Sequence, residues 1–316
     1  MQFRTQIPIS KISNPIDYNS KIVSIGSCFA ENIEDKFDYF KFQNTTNPFG
    51  IIFSPVSIEN IIRRIIQQDF FTEKDIFFHN DLWNCYEVHS ELSDPNKDNF
   101  LENLNQIIQT TTSQLSSATH LIITYGTSWI YRNTESNNIV ANCHKVSQKK
   151  FSKELLSVND IQKSIQNTID SIHTLNPNIN FIFTISPVRH IKDGFVENQR
   201  SKSHLFVALH QTFDFQVSTF NYFPSYEIMM DELRDYRFYT EDMLHPNPVA
   251  IGYIWQRFSE NFIDDAAIPT MKQVSEIQKG LTHRSFNPES EQHLSFLSKL
   301  QLKIKSVQEN WPHIKF

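Results

Sequence analysis

Short β-branched runs alternate with longer stretches in which apolar residues recur every three or four positions, and this alternation governs the first four-fifths of the chain. Lys21-Ile22-Val23-Ser24-Ile25, His120 to Tyr125 and the run over 179–185 are short and almost uniformly apolar, so they read as strands covered on both faces. A further strand is expected near 225–229. Helical spacing predicts helices over 29–39, 56–68, 99–116, 157–173, 198–219 and 249–262. Strand after helix after strand at these intervals predicts an α/β fold of three layers, α/β/α, with helices on both faces of a mainly parallel sheet.

Two segments break the rhythm, 75–98 and 133–156. In the first, Ile76-Phe77-Phe78-His79 and Trp83-Asn84-Cys85-Tyr86-Glu87-Val88 flank Asn80-Asp81, a pattern that predicts a hairpin. Both insertions are expected either as lids over a reaction site or as surface decoration. After Ile268 the pattern becomes helical again, over 270–278 and 291–307, broken at Gly280 and Asn287-Pro288. This divides the chain into a main domain, 1–265, and an accessory C-terminal helical region, 266–316. The accessory region is expected to pack on the main domain; a homodimer face is the alternative.

With 316 residues, 39% hydrophobic and 20% charged, the chain can bury a large core, and a mean hydropathy of −0.40 gives no sign of a membrane span. A net charge of −6, with Lys149-Lys150 as a short basic cluster, argues against nucleic acid as partner. The odd set Cys28, Cys85 and Cys143 reads as reduced thiols, and the opening Met1-Gln2-Phe3-Arg4 lacks an apolar signal core, so a cytoplasmic protein is expected. No phosphate loop or dinucleotide fingerprint is present. Cys143 and His144 are adjacent and would point apart, so neither a cofactor nor a metal is expected.

The chemistry gathers at two islands. Gly26-Ser27-Cys28-Phe29-Ala30 follows the first strand and opens a helix, so a hydroxyl or thiol there sits where unpaired N–H groups favour negative charge. Ser27 could equally be a helix cap and Cys28 an ordinary buried cysteine. Asp242-Met243-Leu244-His245-Pro246 lies on a loop before the 249–262 helix, at a spacing that lets the carboxylate hold Nδ1 of the ring while Nε2 faces a nucleophile. Arg189 and His190 follow the 179–185 strand at the same sheet edge. Arg189 would bind a substrate carboxylate or phosphate, or form a structural pair; His190 would shape the pocket or compete with His245 as base.

The opening island resembles the signature of the GSCFA family, and Asn142-Cys143-His144-Lys145, Ser186-Pro187-Val188-Arg189-His190, Glu197-Asn198-Gln199-Arg200-Ser201-Lys202 and Tyr222-Phe223-Pro224-Ser225-Tyr226-Glu227 agree with it. The arrangement also resembles the SGNH, or GDSL-like, hydrolase superfamily, which implies a flavodoxin-like sheet. In that superfamily the first block reads Gly-Asp-Ser. Here Ser27 stands at the aspartate position and Cys28 at the serine position, which leaves either as nucleophile. The resemblance further implies oxyanion donors at Gly50, Gly126 and Ser128, the last replacing an asparagine, and raises Asn198, Lys202 and His144 as substrate-binding candidates. The expected activity is that of an esterase or O-acyltransferase on a small ester or acylated carbohydrate, by a monomer or homodimer. A binding or assembly protein on the same scaffold is the alternative.

Overall fold

The computed structural model describes residues 5–214 and 220–316. Ten strands are present among them: β1 (Lys21–Gly26), β2 (Gln43–Thr46), β3 (Ile76–His79), β4 (Leu82–Cys85), β5 (His120–Tyr125), β6 (Trp129–Asn133), β7 (Ile139–Val140), β8 (Phe151–Leu155), β9 (Asn180–Ile185) and β10 (Phe220–Phe223). The α-helices are α1 (Cys28–Tyr39), α2 (Pro55–Gln67), α3 (Lys97–Ser117), α4 (Val158–Leu175), α5 (Phe195–Asp214), the single turn α6 (Ser225–Glu227), α7 (Pro248–Phe262), α8 (Ile268–Thr282) and α9 (Glu291–Asn310).

Five strands form one wholly parallel sheet in the order β10-β9-β5-β1-β2. Counted along the chain, that order is 2-1-3-4-5, the flavodoxin-like winding, and it reverses between β1 and β5. Successive side chains on a strand face opposite ways, and the core divides accordingly. Val23, Leu121, Ile123, Phe181 and Phe183 pack with Ile61 of α2, Phe100 of α3, Ile165 of α4 and Leu205 of α5. Ile22, Ile122 and Ile182 face the other way, toward Phe29 and Phe37 of α1, Phe258 of α7, Val274 of α8 and Leu300 of α9. The result is the three-layer α/β/α arrangement.

The strand expected near 225–229 is instead a helical turn, and the edge strand is β10, just before it. Pro224 cannot donate to a ladder, and Ser225 Oγ donates to the carbonyl of Ile185 (2.8 Å), which folds the chain over the end of the sheet. The helix expected over 198–219 starts at Phe195, beyond Gly194; its expected end, 215–219, lies outside the described residues.

The two rhythm-breaking segments fold against each other. β3 and β4 pair antiparallel across Asn80 and Asp81, both in the left-handed region (φ 49° and 60°), the geometry of a tight two-residue hairpin. β7, β6 and β8 form a second antiparallel sheet. Phe77 stacks on Tyr86 (4.2 Å between centroids), and both join Val140, Val146, Phe151 and Tyr131 in a small separate core. The C-terminal helices bury Met271, Val274, Ile277, Leu300 and Val307 in the core shared with α1 and α7, and Ile314 closes the chain against them. No helix among the described residues is long and apolar enough to cross a membrane.

Candidate active site

β1 ends at Gly26, directly beside β5. A Cβ at Gly26 would stand 2.3 Å from the carbonyl oxygen of Thr124 and 2.8 Å from its nitrogen, and φ is +157°, so only glycine fits this close approach. The next residue is locked at both ends: Ser27 N–H donates to Thr124 O (3.1 Å) and Ser27 Oγ accepts from Phe29 N (3.3 Å) as the cap of α1. Ser27 is 1% exposed, whereas Cys28, the first residue of α1, is half-buried and open to the surface. Asn47, in a left-handed turn, accepts from Gly26 N–H (2.8 Å) and holds the end of β1 from the side of β2.

A helix start alone would lower the Cys28 thiol. The thiol is instead raised, because burial is the largest influence and Glu31 on the next turn adds to it; Lys202 and the amides of Cys28 and Phe29 pull the other way without winning.

The second island forms a compact loop closed by the Tyr239–Pro246 bridge and by Thr240 N–H donating to His245 O (2.8 Å). The Asp242 carboxylate accepts from Thr240 Oγ1 (2.7 Å), Leu244 N (2.8 Å) and His245 N (3.0 Å) through Oδ1, while Oδ2 meets His245 Nδ1 at 2.5 Å. These donors hold its pKa well below the usual carboxylate range. Both side chains are about half exposed, and the ring is held through Nδ1 by its carboxylate.

His190, just beyond β9, feels the charges of both His245 and Lys202. Its amide donates to Asn198 Oδ1 (2.9 Å), its ring stacks on Phe53 (5.2 Å), and Nε2 is buried with no hydrogen-bond partner among the described residues. Gly126 leaves the room for it: a Cβ there would lie 3.1 Å from Nε2. Burial, then Lys202 and His245, push the ring down to about 3, so it is neutral at physiological pH. Lys202, on α5, is 0% exposed; Nζ donates to Ser186 O (2.7 Å), lies over the Tyr226 ring (5.3 Å) and is in electrostatic reach of Cys28.

The remaining candidates fall elsewhere or are already engaged. Gly50 N–H donates to Asn47 O (2.7 Å), Gly126 N–H to Phe53 O (2.8 Å), and Ser128 donates its N–H to Ser201 Oγ (2.8 Å) and its hydroxyl to Ser201 O (2.7 Å). As folded, each of these donors serves the scaffold. His144 lies in the insertion, with Nε2 on the Cys85 carbonyl (2.6 Å). Arg189 rests its guanidinium on Met230 Sδ (2.9 and 3.3 Å), beside Tyr226 and Tyr239. Next to His190, a cavity of about 320 Å³ is walled by Phe53, Trp129, Tyr131, Cys143 and Lys153, the last paired with Asp193. Among the described residues no cluster of three or more His, Cys, Asp or Glu side chains could hold a metal ion.

A wholly parallel sheet of flavodoxin-like winding, covered by helices on both faces, defines an α/β protein of enzyme-like architecture. The chain belongs to the GSCFA family: the family model spans residues 21–258, and that of the GSCFA domain protein, C-terminal domain, matches 274–316. No curated protein matches the chain.

Proposed function

We propose that the protein is an SGNH-like esterase or O-acyltransferase that works through a covalent acyl-enzyme on Cys28. The observation that carries this reading is the Asp242–His245 pair, assembled at 2.5 Å through Nδ1, on a loop whose histidine acts electrostatically on His190. Of the two candidate nucleophiles, Cys28 is open to the surface while Ser27 caps the helix. The Cys28 thiol loses its proton as its sulfur attacks the ester carbonyl, the C–O bond of the tetrahedral species breaks, and the first alcohol leaves carrying that proton. His245 then takes the proton of the entering water or acceptor alcohol, which attacks the thioester, and the expelled sulfur recovers that proton. With the amides of Gly50 and Gly126 and the hydroxyl of Ser128 engaged, the oxyanion falls to the Cys28 amide at the start of α1 and to neutral His190, donating from Nε2.

The cavity beside His190 supports a carbohydrate ester as substrate, because Phe53, Trp129 and Tyr131 give it aromatic walls and Asn142, Gln148 and Lys153 add polar groups at one site. The test is turnover of a panel of short acyl esters and acetylated sugars, with and without alcohol acceptors. Activity lost in Asp242→Asn and His245→Ala with the fold intact is the expected result, and activity that survives both would refute the reading. The engaged state of the expected oxyanion donors and the raised thiol favour one rival, a ligand-binding protein on this scaffold. Tight sugar-ester binding without turnover, unchanged when Cys28 and His245 are both replaced, would establish it.

A further inference from the structure

α2 begins without a cap. Ser54 stands at its N-cap, yet the side chain makes no capping bond, Pro55 has no N–H to offer, and the first turn carries no acidic residue. The amides of Val56 and Ser57, which an α-helix leaves without intrahelical acceptors, find none elsewhere among the described residues. Ser54 and Ser57 are 7% and 4% exposed, and the Oγ of each is buried with no hydrogen-bond partner. Two orphan hydroxyls beside two orphan amides are a cost that packing alone does not explain. The two serines lie one turn apart and both wall the cavity beside His190, so this face of the first turn fronts that cavity. Of the lysines and aspartate in the same wall, Lys153 is paired with Asp193, while Lys192 is exposed and has no carboxylate within ion-pair distance among the described residues. The surplus charge there is positive.

Resting on the reading of this cavity as the carbohydrate pocket, we propose that the start of α2 is a phosphate-binding subsite, which makes the substrate a phosphorylated sugar ester. Two amides, two hydroxyls and the positive end of a 13-residue helix supply donors with no competing carboxylate in that turn. Four donors suit the three outer oxygens of a phosphate monoester better than the two of a carboxylate. The same cavity reaches His190, so one ligand can rest its phosphate on α2 and its ring against Phe53, Trp129 and Tyr131, with the ester toward the end of the sheet. A volume of about 320 Å³ is at the small end of ligand pockets, which fits a single hexose phosphate and not an oligosaccharide.

Isothermal titration calorimetry on the full chain tests this, with glucose 6-phosphate, glucuronate, glucose and inorganic phosphate as probes at one ionic strength. Glucose 6-phosphate should bind about tenfold or more tighter than glucose, glucuronate should fall between them, and inorganic phosphate should compete with glucose 6-phosphate. Ser57→Ala removes a hydroxyl that has no bond to lose, so its Tm should not fall while its affinity for glucose 6-phosphate drops about tenfold or more. Ser54→Asp places a carboxylate and a better cap at the same spot; it should hold or raise Tm and abolish binding of both phosphate probes. Glucose bound as tightly as glucose 6-phosphate would overturn the subsite, as would binding of neither phosphate probe, or affinities unchanged in both variants. Glucuronate bound at least as tightly as glucose 6-phosphate would overturn the assignment to phosphate. Phosphate binding by a protein that turns over no ester leaves the subsite standing and overturns the esterase reading alone, whereas turnover of acetylated neutral sugars with no gain from a phosphate overturns the subsite alone.

Discussion

Replacing Gly26 by alanine tests the joint on which the whole site hangs. The added methyl would meet the Thr124 carbonyl oxygen at 2.3 Å, its Cβ at 2.7 Å and its nitrogen at 2.8 Å, and two of the three atoms are backbone of β5. Moving β5 away would break the Gly26–Thr124 register and the Ser27 N–H to Thr124 O bond that seats α1. Overpacking costs about 1–3 kcal/mol. A side chain forced to positive φ adds roughly 1–2 kcal/mol. Gly26→Ala should therefore lose about 2–5 kcal/mol in urea unfolding, at unchanged m, equivalent to roughly 4–10 °C or more in Tm at about 2 °C per kcal/mol for a chain of this size. The displaced helix start should also change the alkylation rate of Cys28 more than that of buried Cys85. A loss below about 0.5 kcal/mol, the level of a neutral surface change, with unaltered Cys28 alkylation, would refute the claim that the β1–β5 contact positions the nucleophile.

Asp242→Asn keeps an oxygen for Thr240, Leu244 and His245 N–H but cannot accept from Nδ1, so kcat/KM should fall about 10²-fold or more while Tm barely moves, since the pair is half exposed. Ile182→Ala opens a hole in the fully buried center of the sheet and should cost about 2–5 kcal/mol by denaturant titration. Lys202 has a folded-state pKa near 7 against 10.5 in the unfolded chain, so the unfolded state binds more protons between those values and its burial is most unfavourable below 7. Lys202→Met should accordingly be stabilised over wild type most at acid pH, with the gap closing as pH rises from 7 toward 10.5; a gap that widens over that range would contradict the assignment.

Much of the fold is legible because parallel strands are buried on both faces and announce themselves as apolar runs. β1, β5 and β9 do so, while β2 is Gln-Asn-Thr-Thr at a half-exposed edge and carries no such signal. β10 escapes because four residues before a proline offer too short a pattern to mark a strand. The Asp242–His245 pair is readable since its geometry is set within one loop. Whether a glycine amide is free depends on distant carbonyls, Asn47 O for Gly50 and Phe53 O for Gly126, and spacing cannot reveal that. Asn47 is missed for the same reason: its role rests on a left-handed turn and on a contact with Gly26, 21 residues away. Lys202 shows one usable sign, its place among Asn198, Ser201, Leu205 and Leu209 on the inward stripe of a helix, but its lack of an acidic partner is visible only in three dimensions.

The central claim is an acyl group carried on Cys28, and a trapped intermediate tests it most directly. His245→Ala, blocked in the second half-reaction, should accumulate one acetyl group from p-nitrophenyl acetate by intact mass. Peptide mapping should place the label on Cys28, unaffected by Ser27→Ala and abolished by Cys28→Ala. Acetyl found on Ser27, or labelling that persists in Cys28→Ala, would contradict the account.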